Sequence, residues 1–198
     1  LGYQYVDTGA MYRAVALLAR RRGIGWDDAE AIGRLASELR FRFQWDSDFL
    51  RVEVDGEDLT RAIRADDVGQ GASRISRYPE VRTALLGLQR ELGAGGGVVM
   101  DGRDIGTVVL PNAELKIFLD ASLEERARRR HEELLRRGEV VHLDEVRAAL
   151  DARDRQDRER ATAPLVAADD AVHIDTTQLT IPRAIDVVLS LVRDRATG

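Results

Sequence analysis

The run VVMDGRDIGTVVLP, Val98 to Pro111, decides the fold. It opens on three apolar residues, ends them at Asp101 and delivers Arg103 and Asp104 at once. That pattern reads as a strand with two carboxylates and a guanidinium at its carboxyl end. Two other runs share the design, VDTGAMYR from Val6 and FLDAS from Phe118. Stretches of helical period separate all three, so right-handed crossovers and a mostly parallel sheet are expected, with ligands at the strands' carboxyl ends. Asp7, Thr8, Arg13, Asp101, Arg103, Asp104 and Asp120 are then expected to share one rim. For any one of them, a turn or helix cap is an equally good use of Asp or Thr. Three clusters on one edge favour a site.

Outward from that run, YQYVD reads as a strand, Thr8-Gly9 as a turn, and the residues from there to Gly23 as an amphipathic helix. WDDAEAIGRLASELR is a second helix with Asp27 and Asp28 in its first turn. The period then changes to two: Phe41 and Phe43, then Leu50, Val52 and Val54, alternate with polar residues, and DSD and DG mark turns. This predicts a small antiparallel sheet inserted between helices. The segment from Thr60 to Gly97 is helical with a break at Tyr78-Pro79, and its glycine run leads into the strand ending at Asp101. ELKIFLDA is a strand, residues 122–137 and 143–160 are charged helices, AVHIDT is a strand and IPRAIDVVLSLVRDR closes the chain.

The sequence has 198 residues, enough for one domain with a small insert. It contains no cysteine, which removes disulfides and thiolate metal sites. It holds no apolar run of membrane-span length and no signal-peptide pattern, so a cytoplasmic protein is expected. The net charge of -5 argues against general affinity for nucleic acid. Lys116 is the only lysine among 30 basic residues; this bias fits either genome composition or a need for bidentate phosphate contacts.

Asp101 stands where a Walker-B-type aspartate holds magnesium through water, a weak signal by itself. Between Ser122 and Arg160, eleven arginines face eleven acidic residues, so a solvated helix surface competes with a phosphate clamp. Arg153, Asp157 and Arg160 recur at i, i+4 and i+7 and are expected on one helix face, either as an internal ion-pair ladder or as a ligand grip. His131, His142 and His173 show no zinc spacing, and neither GAGGGVV nor any other run is a phosphate loop.

In order and spacing, VDTGAMYRA, ASRISRYPEVR, DGRDIGTVVLPNAELKIFLDAS and RDRQDRERATAPL closely resemble the bacterial cytidylate (CMP) kinases, over essentially the whole chain. The resemblance implies an α/β nucleoside-monophosphate-kinase fold. Its core would span 1–40, 80–121 and 161–198, with an acceptor-binding insert at about 41–79 and a lid at about 122–160. It implies transfer of the γ-phosphoryl group of ATP to CMP or dCMP with magnesium, by a cytoplasmic monomer without nucleic-acid or membrane partners. Arg13, Arg103 and Arg160 stand where the family grips phosphate, and Arg103, Arg160 and Asp101 are the expected catalytic groups. Ser73, Arg82 and Asp104 stand at the cytosine edge, and Arg153 with Asp157 at the sugar hydroxyls. Thr8 replaces a frequent serine and keeps its hydroxyl. Arg126, Arg129 and Arg130 lie where a lid closes over ATP phosphates.

The family opens with a strand, a G-x-x-x-x-G-K-[GST] loop and a helix, none of which this sequence contains; Lys116 lies inside ELKIFLD without a glycine-rich loop before it. The expectation is an N-terminally truncated kinase lacking the central strand between VVMD and KIFLD. Its absence would leave two buried rows of unpaired amides and carbonyls and make the chain marginal in isolation. Two alternatives remain: a CMP-binding domain without catalysis, and an arginine-rich nucleic-acid module, which the neutral balance of 122–160 disfavours.

Overall fold

The computed structural model describes residues 2–46 and 49–196. Strand β1 (Gln4–Asp7) enters helix α1 (Thr8–Arg21) without the turn expected at Thr8-Gly9. The reason is a cap: the Asp7 carboxylate accepts the Ala10 N–H at 2.9 Å, which makes Thr8 and Gly9 the first residues of the helix. Asp28 likewise caps helix α2 (Ala29–Glu38) through the Ala31 N–H, while Asp27 pairs with Arg74 instead of joining the first turn.

Strands β2 (Phe41–Asp46), β3 (Phe49–Val54) and β4 (Glu57–Asp58) form the antiparallel sheet, with Phe43, Leu50, Val52 and Val54 buried as their alternation predicts. The tight Asp55-Gly56 turn places both residues at positive φ, 52° and 84°, which is why Asp-Gly serves there. The DSD turn falls on Ser47 and Asp48, outside the described residues. Helix α3 (Asp66–Ile75) and helix α4 (Pro79–Ala94) are separated at the predicted break, with Pro79 opening α4 where a missing N–H costs nothing.

Strand β5 (Val98–Asp101) runs parallel to β1, in register from Gln4 opposite Val98 to Asp7 opposite Asp101. After a π-helical turn at Ile105–Val109 come strand β6 (Ile117–Asp120), helix α5 (Leu123–Arg136), helix α6 (Leu143–Glu159), strand β7 (Val172–Asp175) and helix α7 (Ile181–Ala196). Strand β6 pairs in parallel with β7, Asp120 opposite Asp175. No described helix is long and apolar enough to cross a membrane.

The chain divides at Ile105-Gly106 into two compact units. The first contains the main core, in which α1 is buried on most of its faces against α2, α3 and the strands. Trp26 closes part of it: its indole N–H donates to the Ala16 carbonyl at 3.0 Å, and its ring lies so close to Gly71 that a Cβ there would sit 2.4 Å from it. The second unit buries fewer apolar side chains, among them Ala127, Leu134, Val146 and Ile174. Its histidines act locally: His131 Nε2 lies 3.0 Å from the Val141 carbonyl, His142 caps α6, and the His173 ring meets Phe118.

The parallel strands thus form two two-stranded sheets, β1-β5 and β6-β7, flanked by helices. Val99 of β5 is 47% exposed and Leu119 of β6 58%.

Candidate active site

In the first unit, parallel register brings two carboxylates side by side, because Asp7 and Asp101 end β1 and β5 at the same level. Asp7 divides its oxygens: Oδ1 accepts the Ala10 N–H, and Oδ2 accepts Arg13 Nη2 at 2.5 Å. Thr8 is buried, and its hydroxyl donates to the Asp101 carbonyl at 2.7 Å, tying the start of α1 to the end of β5. Gly102 is required by this latch, since a Cβ there would stand 2.4 Å from Thr8 Oγ1.

Asp101 keeps solvent access as a residue, yet its carboxyl is held above the ordinary Asp range. Burial of the carboxyl is the largest cause and the neighbouring Asp7 charge the next; the hydrogen bond from Tyr5 and the charges of Arg13 and Arg103 pull the other way. The Tyr5 hydroxyl is pushed well above its usual range by burial and by the charges of Asp101 and Asp7, so it stays protonated.

A second group in the same unit is drier. Arg82, from the first turn of α4, meets Asp104, just past β5, at 2.5 Å, with side chains only 9% and 11% exposed. The guanidinium is held on two more sides: Nη1 donates to the Ser76 carbonyl at 3.3 Å, and the Tyr12 ring lies 5.8 Å from its centre. This fixes a donor beside an acceptor. Ser73 lies half-buried on α3, and Arg103 is exposed between Asp101 and Asp104.

In the second unit, α6 ends at Glu159 and Arg160 turns out with extended backbone, so Arg153, Asp157 and Arg160 do not share a helical face as the spacing predicts. The ejected backbone instead swings Arg160 back over the last turn. Its Nη1 lies 3.5 Å from Asp157 Oδ1, its Nε donates to the Ala163 carbonyl at 2.5 Å, and both charged side chains are buried. Arg153 remains on the exposed surface of α6.

The three arginines expected over ATP phosphates all have protein partners. Arg126 spans α5 and α6 by pairing with Asp154 at 2.7 Å; Arg129 binds Glu125 and the Thr176 carbonyl; Arg130 pairs with Glu133. Asp120 caps its own strand end by accepting the Ala121 N–H, beside a cavity of about 360 Å³ lined by Phe118, His173, Asp175 and Thr177.

Tyr5, Tyr12 and Gly102 were not foreseeable as parts of the site. Only the glycine left a signal, standing between two strongly polar positions at a strand end. Among the described residues, no cluster of three or more His, Cys, Asp or Glu could hold a metal ion. The Asp7-Asp101 pair offers oxygen donors only, and Asp7 is committed to Arg13. Oxygen donors of this kind suit a hard cation that takes most of its ligands from phosphate and water.

A family model described as cytidylate kinase matches residues 1–194. The chain is 50% identical over 195 residues to a cytidylate kinase of Geobacter sp. strain M21, covering 98% of this chain and 84% of that protein. It is 51% identical over 195 residues to a cytidylate kinase of Desulfitobacterium hafniense, with the same coverage, 98% and 84%. It is 44% identical over 198 residues to one of Anoxybacillus flavithermus, covering 100% of this chain and 88% of that protein.

Proposed function

The chain belongs to the cytidylate kinase family, and from that premise we propose that it transfers the γ-phosphoryl group of ATP to CMP or dCMP, giving the diphosphate and ADP. The observation that carries the acceptor assignment is the buried Arg82-Asp104 pair, a donor and an acceptor fixed side by side. Cytosine presents an amino donor at C4 beside the N3 acceptor, which such a pair can meet in register. Uracil presents the reverse order and leaves both protein groups mispaired. Ser73 adds a hydroxyl at that edge.

Phosphoryl transfer asks for positioning and for neutralisation of charge more than for a strong base. We assign Arg13 and Arg103 to the acceptor phosphate, with Thr8 latching the strand end beneath them. By the family resemblance, Arg160 also serves the phosphate, and Arg153 and Asp157 serve the sugar hydroxyls. Arg126, Arg129 and Arg130 are assigned to ATP phosphates; this role requires them to exchange their present carboxylate partners for phosphate when nucleotide binds. Magnesium, when bound, offsets the negative charge of the phosphates. Asp101 is the residue that would orient its water shell. The core, the acceptor-binding insert at about 41–79 and the lid at about 122–160 are the functional parts, and the cytoplasm is the compartment where both nucleotides meet the enzyme.

A coupled assay of ADP formation by the protein expressed from its complete reading frame tests this. CMP and dCMP should be turned over in preference to UMP and AMP. Preference for AMP or UMP would reject the acceptor assignment, and CMP binding without turnover would favour a non-catalytic CMP-binding domain.

A further inference from the structure

Asp7 has a function beyond capping α1. An N-cap needs one acceptor oxygen, and Oδ1 supplies it to the Ala10 N–H. The second oxygen is spent on Arg13, six residues along the chain, at 2.5 Å. Helical side chains lean toward the helix N-terminus, which is how Arg13 reaches back over its own first turn to meet Asp7. Gly9 lies beneath the pair. A Cβ at that position would stand 3.0 Å from Asp7 Oδ1 and 3.1 Å from Arg13 Nη1, tighter than ordinary packing allows, so the bare glycine keeps the floor of the ion pair open.

The pair is neither buried nor loose: the two side chains are 29% and 24% exposed, so an arriving anion can reach the guanidinium while the carboxylate holds it. An arginine carries five N–H donors, and the bond to Asp7 uses one edge of the fork. The start of α1 also has its Ala10 N–H occupied by a carboxylate, which disfavours a second anion on the helix amides and leaves Arg13 as the group to meet it.

We propose that Asp7 is a positioning residue for the acceptor phosphate, holding the Arg13 guanidinium across Gly9 in the orientation that phosphate requires. This rests on the assignment of Arg13 to that phosphate.

The test is a double-mutant cycle on the enzyme expressed from its complete reading frame. KM for CMP, kcat, affinity for CMP and for cytidine, and the thermal unfolding midpoint are measured. Asp7→Asn keeps an acceptor for the Ala10 N–H and loses the charge facing Arg13. It should raise KM for CMP about tenfold, with the effect on KM rather than kcat. Cytidine affinity and the midpoint should hold. In an Arg13→Met background the same substitution should have no further effect, because its target is gone. Gly9→Ala should raise KM in the same direction, while its better helix propensity keeps the midpoint from falling. That combination separates positioning from a purely structural role.

Equal KM effects of Asp7→Asn with and without Arg13 would overturn the inference and leave the phosphate assignment standing. Tighter CMP binding on Asp7→Asn would also overturn it, showing that the carboxylate competes with phosphate. No change in CMP affinity on Arg13→Met would overturn the phosphate assignment itself. Should Asp7→Asn fold poorly, Asp7→Ser keeps a cap but cannot span to Arg13, and is read in the same way.

Discussion

The two compact units use the same residue types to different ends. Before Ile105, charged groups are set into or against a core: Arg82 and Asp104 meet almost out of water, and the charges at the ends of β1 and β5 are each fixed by at least one backbone or aromatic neighbour. After Gly106, most arginines stand on the open faces of α5 and α6. Arg128, more than half exposed, pairs with both Glu125 and Glu132. The buried Arg160-Asp157 pair is the exception there. The difference lies in the dielectric around each charge. A dry pair is fixed and costly to break, whereas a wet pair is replaceable at little cost, as the partner exchange proposed for Arg126, Arg129 and Arg130 requires.

The largest effect should follow from breaking the driest pair. Arg82→Met leaves the Asp104 carboxylate buried without its cation and should cost about 3 to 5 kcal/mol of stability by urea unfolding. Replacing both, Arg82→Met with Asp104→Leu, should recover much of that loss while CMP affinity stays low. A stable single variant would erase the contrast between the units.

Next comes Asp101→Asn, expected to lower kcat on the order of 100-fold, as removal of one preorganised electrostatic group does. Its effect on stability has the opposite sign. Burial and the Asp7 charge raise the Asp101 pKa in the folded state, so the stability linked to this group is full below the unfolded-state value and declines as pH rises through the raised one. Removing the ionisation should therefore raise the unfolding midpoint near neutral pH. The advantage should vanish at pH below the ordinary Asp range, where the carboxyl is protonated in the folded and the unfolded chain alike. A variant less stable than wild type at neutral pH would contradict this placement of Asp101.

Much of this was legible in the sequence. The change of period at Phe41, the Asp-Gly turn, the Tyr78-Pro79 break and the charged helices all report local rules that tertiary structure left intact. The start of α1 was misread because Thr8-Gly9 is a good turn pair; the Asp7 cap, visible only with coordinates, overrides it. The face shared by Arg153, Asp157 and Arg160 failed for a similar reason: the helix stops one residue before Arg160. Tyr5 and Tyr12 could not be read as site residues at all, since an aromatic one position from a buried strand or helix residue looks like core.

Smaller effects sharpen the contrast. Gly102→Ala forces a methyl against Thr8 Oγ1 and should cost about 1 to 3 kcal/mol by overpacking, with partial loss of activity as the latch to β5 opens. Arg128→Ala, on the wet side, should leave the unfolding midpoint unchanged even though it removes two ion pairs. A measurable loss there would mean that the α5 ladder is structural.

The most direct test of the account is calorimetric binding of CMP, cytidine and UMP to the protein, without ATP. A fixed donor-acceptor pair for the base and arginines for the phosphate predict that CMP binds at least about tenfold more tightly than either cytidine or UMP, each charge-assisted hydrogen bond contributing roughly 1.5 to 3 kcal/mol. UMP binding as tightly as CMP would contradict the role of Arg82 and Asp104, and cytidine binding as tightly as CMP would contradict that of Arg13 and Arg103.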